Sequence, residues 1–149
     1  MNPEVYKRFM FRAWSKALKK MLTPYYIPTA DPLTDATRIL IRDPTQLSLP
    51  AGELIINQCT SLCDGNKSWI FEGDIVSVES HDALIFHLPV VFVHGSFGVL
   101  RGREFIPFLE IRNRLKVETI VIIGNVYENA ELLNMRDPFL KNMKGSKPN

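Results

Sequence analysis

The stretch "FEGDIVSV", Phe71 to Val78, holds the decision between a catalytic pair of acids and a turn that feeds a strand. Glu72 and Asp74 flank Gly73, and Ile75, Val76, Ser77 and Val78 follow in the alternation of a half-buried strand. Glycine lets the backbone turn, and an aspartate beside it can hydrogen-bond locally and start the strand. Two acids around a turn glycine satisfy no catalytic geometry by themselves, so the turn is the preferred reading.

Outward from that stretch the same grammar repeats. Downstream, "ALIFHLPVVFVHG" follows the polar break Ser80-His81-Asp82, which predicts two adjacent antiparallel strands. "GSFGVLRGREFIPF" carries turn or bulge glycines at Gly95, Gly98 and Gly102. "VETIVIIGNVYE" is a β-branched strand, and Pro89 and Pro107 predict edges or bulges. Upstream, "ELIINQC" is a strand candidate and "DGNKS", Asp64 to Ser68, has turn chemistry. Val5 to Leu22 mixes strand alternation at Phe9, Phe11 and Ala13 with helical spacing at Trp14, Leu18, Met21 and Leu22. A strand running into a helical turn and an irregular hairpin both fit. Residues 24–50 hold five of the ten prolines, which argues for an ordered loop or an insertion with one strand, "ATRILIR". Near the end, Asn129 reads as the N-cap of a short helix with Glu131 in its first turn. Residues 140–149 read as a flexible tail.

The expected architecture is therefore mainly β (α+β): a small SH3-like or strongly bent β-barrel core with short helices, in one domain spanning 1–149. A net charge of +2 argues for nothing alone, but the charge is uneven. Lys7, Arg8, Arg12, Lys16, Lys19 and Lys20 crowd the first 22 residues, and Lys141, Lys144 and Lys147 the tail, leaving the middle net acidic. Two cysteines, Cys59 and Cys63, make no disulfide framework, and no apolar run is long enough to span a bilayer. A soluble protein of a reducing compartment is expected.

Four blocks resemble the YopX family of phage and prophage proteins. "FRAWSKALKKM", Phe11 to Met21, is similar to the family's opening block, and "QCTSLCDGNKSWIFEGDIV", Gln58 to Val76, to its central one. "IIGNVYENAELL", Ile122 to Leu133, is similar to the closing block, and "HGSFGV", His94 to Val99, is a weaker match. Ser61 and Lys67 stand where the family has glycine, Ser15 where it has Asp and Ala130 where it has Pro, so the turn near Asn66 is expected to be built differently. The resemblance implies a β-rich fold with barrel character, a gene carried by a temperate phage or prophage, and a protein at work in the cytoplasm of the bacterial host. It implies no reaction and carries over no catalytic residue. What transfers are the motif positions Arg12, Trp14, Thr60, Glu72, Gly73, Asp74, Gly124, Asn125, Tyr127, Glu128 and Asn129, of which Trp14, Gly73, Asp74, Gly124 and Asn129 are expected to be structural keys.

Three classes of activity compete. The Cys59-x3-Cys63 spacing with His81, His87 and His94 falls short of a paired zinc signature, so no metal site is assigned. Gly95-Ser96-Phe97-Gly98 lacks the nucleophile-elbow spacing, and no phosphate-binding glycine loop is present, so neither an enzyme nor a cofactor is expected. Nucleic-acid binding is the stronger alternative. Basic and aromatic residues interleave over 7–20, with Arg12, Lys16, Lys19 and Lys20 as contacts. Arg101, Arg103, Arg112, Arg114 and Lys116 form a second basic group over 101–116. The leading reading is a non-enzymatic protein-interaction or homo-oligomeric module with a phage or host partner, the apolar run Ala83–Val93 ending at an exposed strand edge.

Overall fold

The computed structural model describes residues 10–26 and 54–134. Pro28, Pro32, Pro44 and Pro50, the "ATRILIR" segment, Lys7, Arg8 and the basic tail lie outside them. Among the described residues no helix is long and apolar enough to cross a membrane. The chain divides into two compact units between Ser61 and Leu62.

In the first unit, β1 (Met10–Ser15) and β2 (Lys20–Tyr26) form an antiparallel hairpin across the turn Lys16–Lys19. This settles the ambiguous opening segment as a hairpin. The helical spacing there was accidental, since Leu18 lies on the turn and is half exposed. Ser15 Oγ accepts the Leu18 N–H, and Lys19 takes a positive φ to close the turn. β3 (Leu54–Cys63) pairs with the other side of β1, from Phe11↔Gln58 to Ser15↔Leu54. Ala13 and Leu22 are buried with Phe11, Leu54 and Ile56 packed around them. Pro24 belongs to β2, which ends the strand order β2-β1-β3-β4, where a missing N–H breaks no ladder.

β3 runs on through the division, and the turn Asp64–Ser68 leads to β4 (Trp69–Phe71). The second unit is an antiparallel five-stranded sheet of order β8-β7-β6-β5-β9. Its strands are β5 (Asp74–Ser80), β6 (Ile85–Val93), β7 (Ser96–Arg101), β8 (Glu104–Pro107) and β9 (Val117–Asn125). The sheet is strongly curled, with register shifts in the β5–β9 ladder between Ile75/Val76 and Glu79/Ser80. Alternate residues of the strands, Val76, Val78, Phe86, Leu88, Val90, Val99 and Ile106, form its core with Ile70. The mainly β, strongly bent architecture with short helices is thus what the sequence pattern requires.

Both prolines of this sheet behave as their missing donor demands. Pro107 ends the outermost strand, β8. Pro89 sits within β6, and the β6–β7 ladder stops one residue short of it, at Val90↔Val99. Between β8 and β9 lies a helix that the strand reading of the sequence passes over, α1 (Phe108–Leu115). Ile111 and Leu115 are its buried face, Phe108 packs on the same core, and Lys116 closes it in the left-handed conformation. β6 is an interior strand, paired with β5 as far as Ile75↔Pro89 and with β7 from Val90↔Val99 to Val93↔Ser96.

Candidate functional site

The opening acids part company. Asp74 is buried, and its Oδ2 accepts the Phe71 N–H at 2.7 Å, closing a tight turn that starts β5. Gly73 takes φ +85°, a conformation that disfavours any side chain. Its N–H donates to the Val90 carbonyl at 2.9 Å and its carbonyl accepts the Val126 N–H at 2.8 Å. One glycine therefore stitches β6 to the turn that follows β9. Glu72 projects from the same turn into a different environment. It is half-buried, and burial pushes its carboxyl above the usual glutamate range.

The closing motif folds beside it. Asn125, buried and paired with Asp74 across the β5–β9 ladder, accepts the N–H groups of Tyr127 and Glu128 on its Oδ1 at 3.1 and 2.9 Å. Its Nδ2 donates to Glu128 Oε2 at 3.0 Å. Asn129 precedes a 3-10 helix, Ala130–Asn134, as an N-cap would, and its carbonyl accepts the Leu132 N–H. Its side chain does something other than the expected capping: Oδ1 accepts the Asn125 N–H at 3.2 Å, gripping the end of β9. Gly124 is the residue that permits this, because a Cβ there would lie 2.5 Å from Asn129 Oδ1.

A cavity of about 350 Å³ opens where these two turns meet the end of β6, lined by Glu72, Gly73, Val126, Tyr127 and residues 89–93. On its rim Phe92 is 50% exposed and packs against Phe97, ring centroids 4.8 Å apart. The motif positions Glu72, Gly73, Asp74, Gly124, Asn125, Tyr127, Glu128 and Asn129 thus converge on one place. Arg12, Trp14 and Thr60 belong to the first unit and are buried.

The other candidates separate. Lys16, Lys19 and Lys20 are exposed together on and beside the β1–β2 turn, whereas Arg12 is buried and is withdrawn as a surface contact for a phosphate. In the second basic group Arg101 lies over the Phe86 ring at 4.9 Å, and Arg114 is ion-paired with Glu104 and Glu110. Cys59 is buried and Cys63 exposed, four residues apart on one strand, a span of about 13 Å. His87 Nδ1 lies 3.2 Å from the Leu132 carbonyl, His81 lies 3.9 Å from Glu118, and His94 forms the β6–β7 turn. Among the described residues no three metal-ligating side chains gather.

Sequence reasoning passed over Asp64. It is buried, Oδ1 accepts the Asn66 and Ser68 N–H groups at 3.0 and 2.9 Å, and Oδ2 accepts the Ile122 N–H at 2.9 Å. Its place at the head of a Gly-Asn turn was the available signal. Ser61 and Lys67, which stand where the family has glycine, take φ +65° and +64°, the left-handed region that glycine adopts most readily.

Comparison with known proteins agrees with this anatomy. The chain is similar to a protein of Enterococcus faecalis, EF1440, known as a crystal structure: TM-score 0.50, 23% identity, covering 83% of this chain and 96% of that one. It is also similar to the yopX protein of Bacillus subtilis, with TM-score 0.48, 19% identity and coverage of 85% and 98%. No curated protein matches it. The family described as YopX protein matches residues 10–134, and the chain belongs to that family.

Proposed function

We propose that the chain is a non-enzymatic accessory protein that acts by binding another polypeptide. It is carried by a phage or prophage and works in the cytoplasm of the bacterial host. The partner is a phage or host protein, or a second copy. The observation that carries this reading is the half-exposed Phe92, packed against the tilted ring of Phe97 at the rim of the cavity. An aromatic anchor beside a concave surface is a common centre of a protein interface. The neighbouring polar side chains favour binding over chemistry, because Asp74 and Asn125 are committed to backbone amides that hold the turns.

Affinity capture from host lysate tests this, with the wild-type chain set against Phe92→Asp and light scattering on both. A partner or an oligomer held by the wild type and lost by a folded Phe92→Asp variant is expected. Identical captured sets and identical masses would overturn it. One observation favours nucleic-acid binding instead: the three exposed lysines on the β1–β2 turn. Anisotropy of labelled single-stranded DNA that weakens steeply with salt, and is lost when Lys16, Lys19 and Lys20 are changed to Ala, would put that reading first.

A further inference from the structure

The described residues of the first unit, 10–26 and 54–61, contain four cations, Arg12, Lys16, Lys19 and Lys20, and no aspartate or glutamate. Arg12 is buried, whereas the three lysines are exposed on and beside the β1–β2 turn. None of the three is ion-paired among the described residues. Leu18 stands in their midst at the tip of the hairpin and is 52% exposed. The tip is held in one shape. Ser15 pairs with Lys20 across the hairpin, Ser15 Oγ accepts the Leu18 N–H at 3.1 Å, and Lys19 closes the turn at φ 49°. A surface fixed in this way loses little freedom on binding. The rings that interleave with these cations in the sequence are engaged elsewhere. Trp14 is buried, and Phe11 packs on the cluster of Ala13 and Leu22. Neither is a free platform for stacking a base.

We propose that the β1–β2 turn docks on an acidic polypeptide surface, with Leu18 entering an apolar depression and Lys16, Lys19 and Lys20 meeting carboxylates at its rim. This rests on the reading of the chain as a protein-interaction module and adds a second surface to the one around Phe92. The cations, with no acid beside them in the described part of the unit, select an anionic partner. The leucine selects among anions. A phosphate backbone attracts the lysines equally but offers Leu18 nothing apolar to enter, whereas a protein surface supplies both. Exposed ion pairs are individually weak, so the lysines steer and orient the partner. Burial of the exposed half of Leu18 then separates the right partner from any other polyanion.

The test uses the full, isotopically labelled chain and three probes of equal charge. They are the capped peptides Glu-Leu-Glu-Leu-Glu and Glu-Gln-Glu-Gln-Glu, and a deoxythymidine tetranucleotide without terminal phosphates. Amide spectra follow Lys16 to Lys20 at low and moderate salt. The leucine peptide is expected to shift these amides and to bind about fivefold more tightly than the glutamine peptide, the scale of burying half a leucine side chain. That preference should vanish in Leu18→Ser, and changing Lys16, Lys19 and Lys20 to Ala should abolish the binding of both peptides. Equal binding of the two peptides overturns the proposal, because the turn then attracts anions without regard to their apolar content. Binding of the tetranucleotide as tight as that of the leucine peptide overturns it in favour of nucleic acid. No shift at Lys16 to Lys20 with either peptide at low salt also overturns it. In each of these cases the capture comparison with Phe92→Asp decides the broader interaction reading separately.

Discussion

At Asp64–Ser68 the chain turns back over the outer side of β9. At Phe71–Asp74 it turns, and among the described residues no strand pairs with the last three residues of β6 on that side. Both turns are built around an aspartate whose carboxylate accepts backbone N–H groups, yet the results are opposite. The Asp64 turn reaches two positions of the β9 edge, with the Gly65 N–H on the Ile120 carbonyl and the Ile122 N–H on Asp64 Oδ2. The Asp74 turn is tied down through Gly73 and goes no further along β6 than Val90. Exposed strand edges invite pairing with other chains, and proteins commonly cover them. One edge here is covered by a buried carboxylate, while the other opens onto a cavity with an acid in its wall. The difference lies in what each aspartate turn reaches: the Asp64 turn holds the β9 edge, and the Asp74 turn holds β6 only as far as Val90.

The strongest way to break the comparison is Asp64→Ala. Three N–H groups, those of Asn66, Ser68 and Ile122, lose their acceptor at a partly buried site. At about 1 kcal/mol for each bond, unfolding in urea should show a loss of about 3 kcal/mol. Hydrogen exchange at Ile122 should accelerate with it. A loss below about 1 kcal/mol, with Ile122 still protected, would mean that the carboxylate does not close the β9 edge.

A milder change sharpens the same turn. Lys67 holds φ +64°, where a lysine pays a steric penalty that glycine does not. Lys67→Gly is therefore expected to stabilise the chain by about 1 kcal/mol, offset in part by the greater freedom of glycine in the unfolded state. An unchanged or lowered melting temperature would show that the lysine side chain contributes contacts worth as much as the strain.

How far this was legible beforehand depends on the range of the interaction. The alternation in "DIVSVES" and "ALIFHLPVVFVHG" is local, and β5 and β6 follow it closely. The same is true of the glycine turns. α1 escaped because its eight residues sit between strands, and Phe108, Ile111 and Leu115 are too few to announce a helical period. Asp64 and Ile122 are 58 residues apart, so no local rule joins them. Asn129 shows the competition most directly. The local rule makes its side chain a helix cap, but the N–H of Asn125, at the end of β9, is presented to the same oxygen and takes it. The open edge at Phe92 has no signature in the sequence either. Its alternation is the same whether or not a strand lies beside it, and only the place where β5 begins decides.

The smallest expected effect tests the acid at the open edge. Glu72 has a folded-state pKa above its ordinary value because burial disfavours the charge. In the interval between the unfolded and folded values the folded chain holds the proton that the unfolded chain has released. Stability therefore falls as pH rises from about 4.3 through that interval and is level above it. Glu72→Gln removes the titration, so its melting temperature should stay flatter over that range and be equal to or above wild type near neutrality. The reverse sign, a variant less stable than wild type at neutral pH, would mean that the carboxylate is held by favourable contacts within the folded chain.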